Sequence, residues 1–381
     1  MTLMKRIIIL LPAIFFLLFS AGCQSGRVTE VTADVLRETK FHAAEISLTK
    51  EQFESRGFCL GDSLDIVFSN GYSVTDVPYH DGYYVKDGAP VVVAYPGEEH
   101  VIITCNNHGI WSAAGLKEKD TVTIRLHEAK KYADIQEALA QKYSNNISDY
   151  KTAEQYCNFR ELTGGSLKKG AFFRGVTPID NSRGRASQAD PLLKKYGIAF
   201  ILDLADSAEN IEKHLNDKDF HSSYAAGLYE NGKIVGLDLS LAYQSEDFKK
   251  KLASGLREML HAEYPVYIHC TEGKDRTGFV CLLLEALAGA SYEEMRADYM
   301  KTYENYYSIT FENAPKKYNA IVSLYFDPFL SALQETKTQA GPAENYVKAA
   351  SDYLLSAGMT REEIERLREF LTQDRQQPPV L

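Results

Sequence analysis

The chain has 381 residues, 45% of them hydrophobic, enough for two domains with cores of their own. Its 42 Lys and Arg against 52 Asp and Glu give a net charge of -10, and no basic stripe offsets it. That balance argues against a nucleic-acid partner, because phosphate backbones are held by clustered cations.

Lys5 and Arg6 precede an apolar run, Ile7 to Phe19, interrupted only by Pro12 and followed by Ser20-Ala21-Gly22-Cys23. A charged start, an apolar run shorter than the ~20 residues of a membrane span, and small residues before a break read as a secretory signal over 1–22. The cysteine after Ala-Gly resembles a bacterial lipobox, with Ser20 standing where that pattern prefers Leu. The resemblance implies that Cys23 becomes a lipidated N-terminus, holding an exported protein on the outer face of the bacterial membrane. The other cysteines, Cys59, Cys105, Cys157, Cys270 and Cys281, follow no regular spacing, and a Cys59–Cys105 bridge is compatible with an exported chain. No Cys-X-X-Cys or His-X-X-X-His pairing is present, so no metal site is expected.

Residues 23–40 are polar and charged and read as a tether. From 41 to 132, five short apolar runs read as strands: Glu45–Thr49, Ser63–Phe68, Ala89–Ala94, His100–Thr104 and Thr121–Leu126. Asn70-Gly71, Asp81-Gly82 and Asp87-Gly88 supply turns between them, so a small, mostly-β domain is expected. Its aromatic residues Tyr72, Tyr79, Tyr83, Tyr84 and Trp111 are expected in the core and in strand pairing rather than on a binding face. Ile135, Leu139 and Tyr143 repeat at helical spacing, giving a linking helix within 133–150.

Beyond 151 the texture alternates. Gly170–Arg174, Ile198–Leu204, Lys233–Leu239 and Pro265–Ile268 read as strands, with helices over Pro191–Tyr196, Ser207–Leu215 and Ser245–Glu263. A helix through Tyr307, opened by Ser291 with Glu293 and Glu294 in its first turn, carries Tyr299, Tyr303, Tyr306 and Tyr307, expected mainly in helix packing. Glu344–Ser356 and Thr360–Thr372 are the last helices. Alternating strands and helices predict an α/β sheet over 151–381, with ligands at the carboxyl ends of its strands.

One such end carries His269-Cys270-Thr271-Glu272-Gly273-Lys274-Asp275-Arg276-Thr277-Gly278, between Pro265–Ile268 and the apolar run Phe279–Leu284. A nucleophile at a strand end, a short turn and a helix start just past an arginine make a cradle of backbone N–H groups for an anion. Such a positive field favours the thiolate, which is the nucleophilic form of a cysteine. Arg276 can fold back and offer a planar fork to phosphate.

Cys-X5-Arg preceded by His and followed by Thr-Gly resembles the signature of the cysteine-dependent protein tyrosine phosphatases, and the Gly-Lys-Asp-Arg-Thr-Gly string resembles a bacterial branch of them. The resemblance implies a phosphatase-type sheet with helices on both faces beside the small mostly-β domain. It implies a metal-independent, cofactor-free hydrolysis of phosphomonoesters through a phosphocysteine on Cys270. Thr271, Glu272, Gly273, Lys274, Asp275 and Arg276 would bind the phosphate. His269 would fix the loop through its ring, and Thr277 would donate its hydroxyl to the Cys270 sulfur. Relatives carry a general acid on a separate loop, and no residue here matches that loop. Asp238, Asp206 and Asp275 are the candidates, with Asp203, Glu246 and Asp247 nearby in sequence.

The expected substrate is phosphotyrosine in protein, with dual specificity as an extension. A phosphoinositide or inositol phosphate is the alternative that Lys274 suggests, since a second cation can hold a neighbouring phosphate. Glu272, where relatives have small residues, works against it. A non-catalytic surface lipoprotein that binds phosphate is the third reading, opposed by the intact Cys270, Arg276 and Thr277.

Overall fold

The computed structural model describes residues 30–39, 42–86, 88–106, 108–140, 142–333 and 343–372. The expected signal over 1–22 and the expected lipidation site Cys23 lie outside the described residues. The chain divides into two compact units, 1–133 and 134–381. Among the described residues, no helix is long and apolar enough to cross a membrane.

The first unit is built from β1 (Glu30–Glu38), β2 (Ala44–Thr49), β3 (Ser63–Phe68), β4 (Ser73–His80), β5 (Pro90–Val93), β6 (His100–Cys105) and β7 (Thr121–Glu128). Pairing runs β1-β2-β6-β5-β4-β3-β7, and β7 returns to β1 to close the ring. All the pairs are antiparallel except β4 with β5. Strict alternation explains the interior: Val31, Ala33 and Val35 point in while Glu30, Thr32 and Asp34 point out. The segment 30–38, expected as part of a tether, is therefore a strand of the ring, and its period of two was readable in those residues.

Closure leaves no sheet edge open. A short helix, Lys50–Ser55, was not anticipated. Thr49 and Gln52 form a capping box at its start, and Phe53 anchors it in the core. Tyr79 is buried and Tyr72 and Trp111 pack against the core, whereas Tyr83 is on the surface. Cys105 carries a free thiol, so the Cys59–Cys105 bridge is not formed.

The linking helix covers only Ala133–Leu139, shorter than its periodicity suggested. The second unit then has β8 (Arg160–Glu161), β9 (Phe172–Val176), β10 (Phe200–Asp203), β11 (Ile234–Gly236) and β12 (Val266–Cys270), in the order β11-β10-β12-β9-β8. All neighbours are parallel except β8 with β9. Alternation again divides the faces. Phe172, Phe200, Leu202, Val266 and Ile268 face a core shared with the helices Glu246–Met259, Asp275–Leu287, Ala343–Ser356 and Arg361–Thr372. Phe173, Ile201 and Tyr267 face the opposite core, with the helices Ala186–Lys195, Ala208–Leu215 and Ser223–Glu230. Helices on both faces are thus observed.

Two helices differ from expectation. Ala186–Lys195 begins five residues before Pro191, which lies inside it rather than at its start. Ser223–Glu230 was not foreseen, and it is fixed by the buried Asp190 carboxylate, which accepts from Tyr224 N (3.1 Å) and Ala225 N (2.8 Å).

Candidate active site

β12 is the central strand of the sheet and runs parallel to β10 and β9. Its last residue is Cys270, nearly covered at 3% exposure, and the helix Asp275–Leu287 begins five residues later. The turn between them cannot be wider because Gly273 has φ +65° and lies against β9. A Cβ there would be 2.2 Å from Gly175 O, a backbone atom that cannot move aside. The Gly273 carbonyl accepts from Asn158 Nδ2 and from Arg174 Nη2, each at 3.0 Å.

Behind those donors lies a buried ionic network. Asp298 accepts from Arg160 Nε at 2.7 Å and pairs with Arg174 Nη1, while Asn158 also bonds Thr302 Oγ1 at 3.1 Å. Burial alone would raise the Asp298 carboxyl, but the two guanidinium groups hold it below the usual carboxylate range. Glu285, buried nearby, is pushed far up by burial and by Asp298, with Arg174 and Arg160 opposing. Sequence reading missed Asn158, Asp298 and the role of Arg174. An arginine in a strand otherwise Phe-Phe-Gly-Val was the available signal, since a cation so placed must be paired.

Arg276 folds back as expected. Its Nη2 reaches Thr271 Oγ1 and its Nη1 reaches Leu239 O, both at 3.1 Å, so the guanidinium spans the loop and the segment after β11. Cys270, Thr271, Gly273 and Arg276 are gathered in one turn. Glu272 is held by its carbonyl, which accepts from Tyr306 Oη at 2.7 Å, and by its carboxylate, which accepts from Tyr143 Oη at 2.7 Å and pairs with Arg183. Lys274 Nζ lies 3.8 Å from both Glu272 Oε2 and Asp275 Oδ2. Tyr306 therefore combines helix packing with a direct bond to the loop, and Tyr143 and Arg183 are further contacts that no local motif announced.

The two residues given supporting roles by resemblance, Thr277 and His269, are both buried beside the loop. Thr277 Oγ1 is buried without a hydrogen-bond partner, so it makes no bond to the Cys270 sulfur. The His269 ring is buried against Asp203, with Asp203 Oδ1 3.8 Å from Nδ1, and interacts with the backbone of Cys270 at the start of the loop. Burial pushes His269 down to about 4, with Asp206 opposing, and leaves the imidazole neutral.

The candidate acids occupy different settings. Asp238 has a side chain 60% exposed, turned toward Lys251 Nζ at 3.5 Å, although the next residue, Leu239, touches Arg276. Asp206 is raised to about 6 by burial and by Asp203, and has His214 Nε2 at 3.7 Å. Asp203 is fully buried below the loop and raised to about 7 by burial, against the amides of Ala205 and Asp206. Asp275, at the loop itself, is raised by loss of water around it, with Glu272 adding and Lys274 and Arg276 opposing. Glu246 and Asp247 open the helix Glu246–Met259 on its exposed first turn.

The model of a family described as "Tyrosine phosphatase family" matches residues 151–373. The chain belongs to that family. It is a phosphatase of the cysteine-dependent kind. The triple specificity protein phosphatase PtpB of Mycobacterium tuberculosis is 24% identical over 249 residues, 54% of this chain and 86% of that protein. An uncharacterized conserved protein from Thermotoga maritima shares 16% identity over 26% of this chain and 37% of its own, with a TM-score of 0.23. The core catalytic domain of the PP-IP phosphatase SIW14 from S. cerevisiae shares 15% identity over 50% of this chain and 93% of its own, with a TM-score of 0.26. These structural likenesses are slight and do not bear on the chemistry.

Proposed function

We propose that this phosphatase hydrolyses phosphotyrosine in protein or peptide through a phosphocysteine on Cys270. The observation that carries the reading is Arg276 folded over the same turn that begins at Cys270, between Thr271 Oγ1 and Leu239 O. The loop amides from Thr271 to Arg276 and the Arg276 fork hold the phosphate oxygens. The Cys270 thiolate forms the S–P bond as the ester P–O bond breaks, and Asp275 gives its proton to the departing oxygen. Water then attacks phosphorus, its proton passes to Asp275, and inorganic phosphate leaves with the thiolate restored.

Asp275 is favoured over Asp238 because it lies in the loop beside Arg276, with its carboxyl shifted upward by loss of water around it. An aromatic substrate is favoured by the partly buried Tyr307 and Tyr325, which lie close to the Lys274–Asp275 pair. A phosphoinositide is the second reading, with Lys274 in its favour.

The test is phosphate release from phosphotyrosine peptide, phosphoserine peptide and phosphoinositide under reducing conditions, with Cys270→Ser as control. The expected order places phosphotyrosine first, and equal release by wild type and Cys270→Ser would remove the mechanism. For Asp275→Asn, loss of the alkaline limb of the kcat profile is expected, and a bell that keeps both limbs would shift the role elsewhere. Export and lipid attachment at Cys23 belong to the same proposal, supported by the pattern of residues 1–23. Labelled palmitate should enter the wild type and not Cys23→Ala.

A further inference from the structure

Glu272 brings a negative charge into a loop built to receive a dianion, and its side chain is only 18% exposed. Its position is set from three directions. Tyr143 donates to Oε1, Arg183 pairs with the same oxygen, and Lys274 lies 3.8 Å from Oε2. Tyr143 is itself immobilised, stacked on Tyr306 with ring centroids 4.8 Å apart, and Tyr306 holds the Glu272 carbonyl. The carboxylate cannot swing away without giving up a hydrogen bond and two ion pairs.

The consequence is electrostatic. Arg183 and Lys274, the cations flanking Glu272, are both engaged by it, and Lys274 is engaged by Asp275 as well. Arg276 is left to face the transferring phosphate. A second phosphate beside the first meets the fixed charge of Glu272 and finds both neighbouring cations taken.

We propose that Glu272, held by Tyr143 and Arg183, is a specificity-determining residue that restricts the loop to isolated phosphomonoesters and rejects ligands with adjacent phosphates. The proposal rests on the loop binding phosphate as described above, and it makes the second reading, a polyphosphorylated inositol, an outcome to be measured.

The experiment is calorimetric titration of the full chain with inorganic phosphate and with pyrophosphate, for wild type, Glu272→Gln and Arg183→Gln. Glu272→Gln keeps an acceptor for Tyr143 and removes the charge. It should tighten pyrophosphate relative to phosphate by at least about tenfold, the scale of losing one like charge a few ångströms away. Arg183→Gln leaves Glu272 less compensated and should weaken pyrophosphate relative to phosphate about threefold or more. A purely structural role would move both ligands together. An unchanged ratio in both variants, or equal shifts for the two ligands, overturns the proposal. Release of p-nitrophenol from p-nitrophenyl phosphate is read separately. Its absence in wild type counts against the catalytic reading, while the ligand ratio still decides the role of Glu272.

Discussion

In the ring of β1–β7 the buried carboxylate Asp62 accepts from two backbone amides, Cys59 N at 2.8 Å and Lys130 N at 2.7 Å, and ion pairs such as Arg125–Glu30 and Lys131–Asp76 lie on its surface. In the five-stranded sheet unit, Arg174 and Asp298 are paired in the interior with Arg160, and Asp203 and His269 are buried below the loop. Apart from Asp62, which backbone amides satisfy, these ion pairs of the ring lie where water already stabilises them. The sheet unit carries the cost of interior charge next to the loop that must hold an anion. Interior ions seldom add net stability over apolar packing, but they break badly when one partner is removed. The two regions should therefore answer mutation differently.

The largest difference is expected at Asp298. Asp298→Ala leaves Arg160 and Arg174 buried without their anion and should cost about 3–5 kcal/mol of unfolding free energy. Because Arg174 also holds the Gly273 carbonyl, kcat should fall in whatever protein remains folded. Denaturant unfolding followed by turnover measures both. A loss under ~1 kcal/mol, the size of an exposed pair, would erase the contrast between the units.

Glycines offer a second contrast. Gly273 and Gly97 both have positive φ, +65° and +93°, but a Cβ on Gly97 meets nothing within 4 Å. Gly97→Ala should cost only the backbone strain of that region, about 1–2 kcal/mol. Gly273→Ala adds a collision with Gly175 O and moves the loop, so kcat/KM should drop by about 10²-fold, the scale of a ~1 Å misplacement. Equal catalytic loss in the two variants would mean that the loop tolerates displacement.

These residues also mark what could be read without a structure. The loop was legible because its chemistry needs consecutive residues: a nucleophile, a turn of amides and an arginine one helical turn on. Its supports come from Asn158, Arg174, Arg183, Asp298 and Tyr306, drawn from a strand, a helix and two loops, and no local spacing encodes those meetings. Apolar runs and turn signals disclosed most of the strands but not β1, β4 or β8. In β1 the alternation is present but its outer face is charged, and closure of the ring through β1 and β7 joins residues some ninety positions apart. Ser223–Glu230 escaped because its hydrophobic stripe is weak and Gly227 sits in its middle. Its anchor is Asp190, far back in the chain.

A smaller effect separates the buried acids by pH. Asp203 is raised to about 7 by burial, so the folded chain keeps a proton that the unfolded chain releases from about pH 4 upward. Stability from this group is present at low pH and is lost as pH rises toward 7. His269, lowered to about 4 by burial, works in the opposite sense: the unfolded chain takes a proton that the folded chain refuses, so stability falls as pH drops from 6.5 toward 4. Asp203→Asn removes the first contribution and retains the second. Its stability relative to wild type should improve by roughly 2–4 kcal/mol between pH 4 and pH 8. Thermal unfolding at the two pH values reads the change, and a constant difference would show that Asp203 is ionised in the fold at both.

The smallest effect completes the contrast. Arg125 and Glu30 pair across β7 and β1, where the ring closes, with side chains 55% and 48% exposed. Closure itself rests on the backbone ladder from Glu30–Arg125 to Asp34–Thr121 and on Val31, Val122 and Ile124 inside it. Arg125→Ala removes the ion pair and none of those, so it should cost about 0.2–1 kcal/mol, with most of that lost in high salt. A loss several times larger and insensitive to salt would mean that this pair, rather than the ladder and the apolar interior, closes the ring. The ring would then depend on charge as the sheet unit does.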